Sequence, residues 1–140
     1  MLVSDLMTRN VVTAPPSCTA AEASRLLHVH NIGALPVVDA AGNLRGIVTD
    51  RDIVTRCVAA DADPAGTTLR DLMTRRVSSV SPGDSAADAA SAMAAARVRR
   101  LPVLERGRLV GILALADMAK SDAGAAALDA WSADNPLQNA

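Results

Sequence analysis

A hydroxyl and a carboxylate three residues apart are the groups in this sequence best suited to hold a polar ligand. They are Thr49 and Asp52, in the stretch 46–52 with the sequence Gly-Ile-Val-Thr-Asp-Arg-Asp. This stretch predicts a buried strand that runs into the first turn of a helix, where free backbone N–H groups favour anions. A carboxylate at such a junction can accept hydrogen bonds from the hydroxyls of a sugar.

Both groups also have a purely structural interpretation. Thr49 occupies the position of a helix N-cap, whose side-chain oxygen accepts a backbone N–H. Asp52 would lie in the first helical turn, where a carboxylate is favourable without any ligand. It is also placed to pair with Arg56, four residues later. The residues alone leave the binding role and the capping role open.

The stretch returns later in the chain as part of a tandem repeat. Residues 111–117 repeat the glycine, the aliphatic residues and the aspartate, Asp117, but have Ala114 in place of the threonine. Two further motifs recur 66 residues apart, Asp-Leu-Met-Thr at 5–8 and 71–74, and Leu-Pro-Val at 35–37 and 101–103. We therefore expect two copies of one unit.

The same secondary structure is predicted for each copy, an extended piece, a helix, a hairpin and a second helix. In the first copy Thr19 and Glu22 have capping-box spacing and start a helix that Gly33 should break. Ser85 and Asp88 are the weaker counterpart in the second copy, with a shorter acid. Aliphatic runs at 35–38 and 44–48 predict the hairpin, and a last helix should run from Asp50 to about residue 60. The expected fold class is α/β (α+β), with a three-stranded sheet and two helices in each repeat.

The predicted domains are residues 1–66 (first repeat with linker), 67–121 (second repeat) and 122–140, a tail with Trp131. One repeat is small for an independent domain, so we expect the two to pack face to face about a pseudo-twofold axis.

Composition excludes several classes of function. A net charge of −1 with 21% charged residues predicts no nucleic-acid or membrane surface, and without Phe or Tyr there is no base-stacking platform. No apolar run reaches the length of a membrane span and no signal-peptide pattern is present, which predicts a cytoplasmic protein. Cys18 and Cys57 lack metal-ligand spacing, so we expect reduced thiols and no metal site.

The repeated pattern resembles the CBS domain, which occurs in tandem pairs as the Bateman module. The resemblance rests on the Asp-Leu-Met-Thr motif and on the stretches 32–39, 46–52 and 98–103, and it spans roughly residues 1–121. It implies a stand-alone bacterial CBS pair that binds an adenosine-containing ligand (AMP, ADP, ATP, S-adenosylmethionine or NAD). It further implies a homodimer that acts as a sensor, with a possible regulated protein partner and no other cofactor.

The resemblance also implies site residues for a first cleft between the repeats. Thr49 and Asp52 would contact the ribose and the near phosphate, and Arg99 and Arg100 would hold phosphate, which suits the forked donors of guanidinium groups. The residues implied to line the base pocket are Val77, Ser78, Val98 and Pro102.

A second, weaker cleft is implied around Asp117. The residues opposite it would be Val12, Thr13, Ile32 and Pro36. Its hydroxyl position is Ala114 and its basic positions are Gly33 and Ala34. Losing these hydrogen bonds is expected to weaken binding by ~100-fold or more, so we expect one competent site per chain.

Two functions compete on this sequence. The first is a regulatory module in which a bound adenosine ligand changes the relative angle of the repeats. The alternative is a protein-interaction scaffold of the same family that has lost its ligand. We do not expect an enzyme, and we predict no catalytic residues, because the sequence shows no nucleophile–base pair, metal cluster or Walker-type loop.

Overall fold

The order of the helices and strands repeats once along the chain. The structure is a computed structural model and describes residues 1–119 of the 140; the predicted tail with Trp131 lies outside them. The elements are α1 (Val3–Leu6), α2 (Ala20–His30), β1 (Ala34–Val38), β2 (Leu44–Thr49), α3 (Asp50–Ile53), a π-helical turn (Val54–Val58), α4 (Leu69–Leu72), α5 (Ala86–Ala96), β3 (Arg100–Glu105), β4 (Arg108–Ala114) and α6 (Leu115–Met118). The mixed helix and strand content confirms the predicted fold class. Among residues 1–119, no helix has the length and apolarity needed to cross a membrane.

The chain divides into two compact units that exchange their leading segments. The first-repeat unit comprises residues 12–77, and the second-repeat unit comprises residues 1–11 together with the chain from Ser78 onward. Each Asp-Leu-Met-Thr motif therefore belongs to the unit built around the hairpin of the other repeat. We call residues 1–8 and 67–74 the lead segments.

The two long helices begin as the sequence predicts. The Oγ1 of Thr19 accepts the backbone N–H of Glu22 at 3.2 Å, and the Oγ of Ser85 accepts that of Asp88 at 3.1 Å. The predicted helix end at Gly33 is wrong, because α2 already ends at His30. Asn31 follows in the left-handed conformation with φ 51°, which asparagine adopts more readily than most residues. α5 ends in the same way at Ala96, and Arg97 follows it in the left-handed conformation.

The predicted three-stranded sheets are reduced to two regular strands each. β1 pairs antiparallel with β2, and β3 pairs antiparallel with β4. The expected extra strand of the first repeat is a single parallel bridge, in which Ala14 donates to the carbonyl of Pro36 at 3.1 Å and accepts from Val38 at 3.0 Å. The ladder stops there because the next two residues, Pro15 and Pro16, have no N–H to donate.

Each lead segment completes the core of its unit. Leu69 and Leu72 are buried with the first-repeat core, and their counterparts Val3 and Leu6 are buried with the second-repeat core. Beyond the helix α4, Thr74 exchanges two backbone hydrogen bonds with the middle of β2, and Thr8 does the same with β4. A small unit built from Ala, Val, Leu, Ile and Met thus gains apolar area from a neighbouring stretch of chain.

A glycine in each hairpin makes this contact possible. A Cβ at Gly46 would lie 2.7 Å from the carbonyl oxygen of Thr74 and 2.9 Å from the sulfur of Met73. At Gly111 a Cβ would lie 2.7 Å from the sulfur of Met7. The glycine of the repeated motif is therefore needed where the lead segment crosses the strand.

The helix predicted from Asp50 to about residue 60 is not a single α-helix. α3 covers four residues and continues as the π-helical turn, in which Ala59 donates to the carbonyl of Val54 at 2.8 Å. Cys57 is buried in this turn, whereas Val54 and Val58 are exposed. The wider winding is a local irregularity that apolar periodicity does not reveal.

Candidate functional site

Thr49 and Asp52 form a reciprocal capping box at the junction of β2 and α3. Thr49 Oγ1 accepts the backbone N–H of Asp52 at 3.1 Å, and Asp52 Oδ2 accepts the backbone N–H of Thr49 at 3.0 Å. This confirms the structural role that the sequence left open for both residues. The role as ligand contacts stays a prediction, and the two roles are compatible because a carboxylate has about four acceptor positions.

The second oxygen of Asp52 faces a guanidinium group. Asp52 Oδ1 lies 3.6 Å from Arg56 Nη2, and the Asp52 side chain is 15% exposed. The predicted pairing of these residues is therefore confirmed. Both oxygens of Asp52 are thus engaged within the first-repeat unit, so a ligand that binds here would share or displace these contacts.

The corresponding junction of the second repeat lacks half of the box. Asp117 Oδ2 accepts the backbone N–H of Ala114 at 3.1 Å, but the methyl side chain of Ala114 offers no oxygen in return. Sequence position 121, which corresponds to Arg56, is serine. The two junctions therefore share a backbone geometry and differ in their side-chain chemistry.

Arg99 and Arg100 lie beside this second junction. Arg100 pairs with Ala114 in the β3–β4 ladder, and the carbonyl of Arg99 accepts the N–H of Leu115 at 2.7 Å. Both arginines are exposed. In the first-repeat unit, Gly33 and Ala34 hold the same backbone positions beside Thr49. The hydroxyl of Thr49 therefore belongs to one unit and the two arginines to the other. That a single ligand contacts Thr49, Asp52 and both arginines stays a prediction.

The residues predicted to line the two clefts occupy matching places in the two units. Pro36 and Pro102 are buried, and their carbonyls accept the single bridge from the preceding extended piece. Val12, Ile32 and Val98 are partly buried against the cores of their own units. The others are Thr13 and Val77, which are half-buried, and Ser78, which is exposed. Their part in binding a base stays a prediction.

An open groove of about 340 Å³ lies between α2 and α3 of the first-repeat unit. Its apolar lining is Leu27, Ile32, Ile53 and Val54, and its other lining residues are Ser24, His28 and Asp50. Ile32, which the sequence assigned to the second cleft, is the one predicted site residue in this groove.

Neither cysteine is set up for nucleophilic chemistry. Burial, and then the negative charge of Glu22, raise the pKa of the Cys18 thiol, which keeps the thiol protonated near neutral pH. Cys57 is fully buried in the same core. Across residues 1–119, no group of three or more His, Cys, Asp or Glu side chains is arranged to hold a metal ion.

The family model of the CBS domain matches residues 3–59 and again residues 69–124. This chain belongs to the CBS domain family. It carries a CBS pair, a kind of module that is typically regulatory and not catalytic. The comparison confirms the resemblance on which the site assignments rest.

Among curated relatives, the CBS domain-containing protein YhcV of Bacillus subtilis is 43% identical over 117 residues, which cover 84% of this chain and 82% of YhcV. Hypoxic response protein 1 of Mycobacterium tuberculosis is 35% identical over 116 residues, with 83% and 81% covered. The chain therefore matches these CBS proteins over most of their length.

Solved structures of other proteins share the fold of this CBS pair. Hypoxic Response Protein I, crystallised with two coordinated zinc ions, superposes with a TM-score of 0.79 at 34% identity, covering 86% of this chain and 98% of that one. The CBS domain pair of protein MJ0100, in complex with 5′-methylthioadenosine and S-adenosyl-L-methionine, gives 0.76 at 30% identity with the same coverage.

The sequence interpretation missed two features of this CBS pair. One is the contact of Gly46 with the lead segment, which the joint repetition of the glycine and the Asp-Leu-Met-Thr motif would have suggested. The other is the reach of Arg56 beyond its own helix. Arg56 Nη1 donates to the carbonyl of Leu72 at 2.8 Å and to Oγ1 of Thr74 at 3.2 Å, and no signal in the sequence predicts this.

Proposed function

We propose that this chain is a regulatory module that senses an adenosine-containing ligand and signals by a conformational change. The ligand would be AMP, ADP, ATP, NAD or S-adenosylmethionine. The proposal rests on the Thr49–Asp52 capping box, which occurs here in a chain similar to a CBS pair solved in complex with two adenosine compounds. We assign the ribose contacts to Thr49 and Asp52 and the phosphate contacts to Arg99 and Arg100. We further propose that the chain forms a homodimer.

The asymmetry of the repeats supports one stronger site. The first junction offers a hydroxyl and a carboxylate, whereas the second offers only the carboxylate of Asp117. A ligand that uses the Asp117 side would lose one hydroxyl contact, which amounts to about a factor of five in affinity. Gly33 and Ala34 stand where the second repeat has two arginines. For a ligand with a phosphate, their lack of charge makes the difference in affinity larger.

A protein-interaction scaffold is the second candidate, and one observation favours it. Val29, Val54 and Val58 are 73%, 57% and 57% exposed on α2 and the π-helical turn of the first-repeat unit. Exposed aliphatic side chains on neighbouring helices are typical of surfaces that bind another protein. These side chains would also serve the proposed homodimer.

Thermal unfolding in the presence of nucleotides separates the two functions. A ligand at 100 times its Kd stabilises the folded chain by about 2.7 kcal/mol, which raises the Tm by several degrees. We expect this shift with at least one adenosine compound and not with GMP or CMP. Asp52→Ala should reduce the shift to about half or less, whereas Asp50→Ala, the same charge change on the same turn, should retain it in full. No shift with any adenosine compound would favour the scaffold.

A further inference from the structure

Arg56 connects the proposed binding carboxylate to the lead segment that precedes the second repeat. One guanidinium nitrogen, Nη2, faces Asp52 at 3.6 Å. The other, Nη1, donates to the carbonyl of Leu72 at 2.8 Å and to the hydroxyl of Thr74 at 3.2 Å. A single side chain in the π-helical turn thus contacts both the junction and residues 67–74.

The contacts close a ring of hydrogen bonds and one ion pair within the first-repeat unit. Thr74 donates to the carbonyl of Ile47 at 2.9 Å and accepts from its N–H at 3.0 Å. Two residues further along β2, the backbone of Thr49 donates to Asp52. Asp52 pairs with Arg56, which returns to Thr74. On one side of this ring, Asp52 is therefore connected to the lead segment through a single side chain, that of Arg56.

Arg56 also satisfies a carbonyl that the short helix leaves without a helical partner. α4 ends at Leu72, and the last four carbonyls of any helix have no partner inside it. A cation at this end is favourable because it meets the negative end of the helix dipole. The fork of the guanidinium reaches two acceptors at once, which the single ammonium of a lysine cannot do as well.

We propose that Arg56 is a positioning residue that couples the state of the Asp52 carboxylate to the packing of residues 67–74. When a ligand draws hydrogen bonds from Asp52, Arg56 loses its partner and holds Leu72 and Thr74 less firmly. The lead segment then opens more often from β2. The second repeat has serine at the matching position 121, so this guanidinium device belongs to the first repeat. The ligand step rests on the proposed function, whereas the link from Asp52 to the segment does not.

Hydrogen exchange of the unliganded full chain, read by mass spectrometry, tests the link without any ligand. Arg56→Met should speed exchange of the Ile47 and Thr74 amides by about 30-fold, the effect expected for losing two hydrogen bonds of about 1 kcal/mol each. Asp52→Asn should speed it about twofold, because the ion pair is partly exposed and weak. In the double variant with Arg56→Met and Asp52→Asn, the exchange rate should equal that of Arg56→Met alone. Arg51→Met, the same charge change on α3, should leave these amides unchanged.

Arg56→Lys provides a second variant that keeps the charge and the pairing with Asp52. It should give an exchange rate between those of the wild type and Arg56→Met. The link is overturned if Arg56→Met leaves the Ile47 and Thr74 amides within twofold of the wild type. It is also overturned if Asp52→Asn has its full effect when Arg56 is already methionine.

The ligand step uses AMP and S-adenosylmethionine at saturating concentration as the probes. In the wild type, bound ligand should speed exchange of the Thr74 amide, and this response should disappear in Arg56→Met while binding persists. Binding that leaves the response intact in Arg56→Met overturns the coupling. If neither probe binds, ADP, ATP and NAD are used in the same way. If none of the five binds, the proposed function fails, and the exchange rates of the unliganded variants still decide the link through Arg56.

Discussion

Substitution of Gly46 by alanine tests the contact between the lead segment and β2. The added Cβ would lie 2.7 Å from the carbonyl oxygen of Thr74 and 2.9 Å from the sulfur of Met73. The methionine side chain can turn aside, but the backbone carbonyl is held by its hydrogen bond to Ile47. Overpacking of this kind costs about 1–3 kcal/mol. Separation of the two strands would also forfeit two backbone hydrogen bonds of about 1 kcal/mol each.

We therefore expect Gly46→Ala to lower the free energy of unfolding by about 3 kcal/mol. Urea denaturation followed by circular dichroism measures this change. Gly83→Ala is the matched control, because a Cβ there meets nothing within 4 Å, and it should stay within about 0.5 kcal/mol of the wild type. Gly111→Ala should be less destabilising than Gly46→Ala, because its Cβ would lie 2.7 Å from the movable sulfur of Met7 and 3.0 Å from the carbonyl oxygen of Thr8. A Gly46→Ala variant as stable as Gly83→Ala would refute the packing described for the lead segment.

Three further predictions concern single side chains. Thr49→Ala should cost about 1 kcal/mol through loss of the helix cap, and Thr49→Ser should recover most of it in the same urea assay; equal losses would contradict the cap. Hydrogen bonds from the backbone N–H of Asn43, and a second from Ala41, lower the pKa of Asp39. The stability that this adds is present above the ordinary pKa of an aspartate and is lost as the pH falls through the lowered value, so Asp39→Asn should reduce the difference in Tm between pH 6 and pH 3. Because burial raises the pKa of Cys18, iodoacetamide should label the folded chain at pH 8 far more slowly than the urea-unfolded chain; equal rates would contradict that burial.

Local patterns in the sequence predicted the parts of the fold that local chemistry controls. Both long helices begin at the predicted caps, Thr19 and Ser85, because an N-cap depends on residues three positions apart. The hairpins appear where aliphatic runs flank a turn. The capping box of Thr49 and Asp52 follows from the same local rule.

Three other features were not predicted by these patterns. The extra strand shrank to one bridge at Ala14 because two prolines follow it. The early end of α2 depends on the left-handed conformation of Asn31, which many sequences with asparagine do not adopt. The contacts of Arg56 span 16 and 18 residues, and they depend on the exchange of lead segments between the repeats.

The ligand-contact assignments are a different case, because they come from family resemblance. Thr49 and Asp52 belong to one unit and Arg99 and Arg100 to the other. The residue types alone show only that Thr49 and Asp52 can accept hydrogen bonds and that the two arginines can donate them. The two sets of side chains are therefore best tested by binding measurements on single variants, each compared with the wild type.

Isothermal titration of the full chain with AMP, ATP, NAD and S-adenosylmethionine tests the central proposal most directly. We predict that at least one of them binds at one site per chain. We further predict that Asp52→Ala weakens this binding by about 10- to 100-fold, the loss expected for charge-assisted hydrogen bonds. No heat with any of the four, or two equal sites that are indifferent to Asp52→Ala, would contradict the proposal.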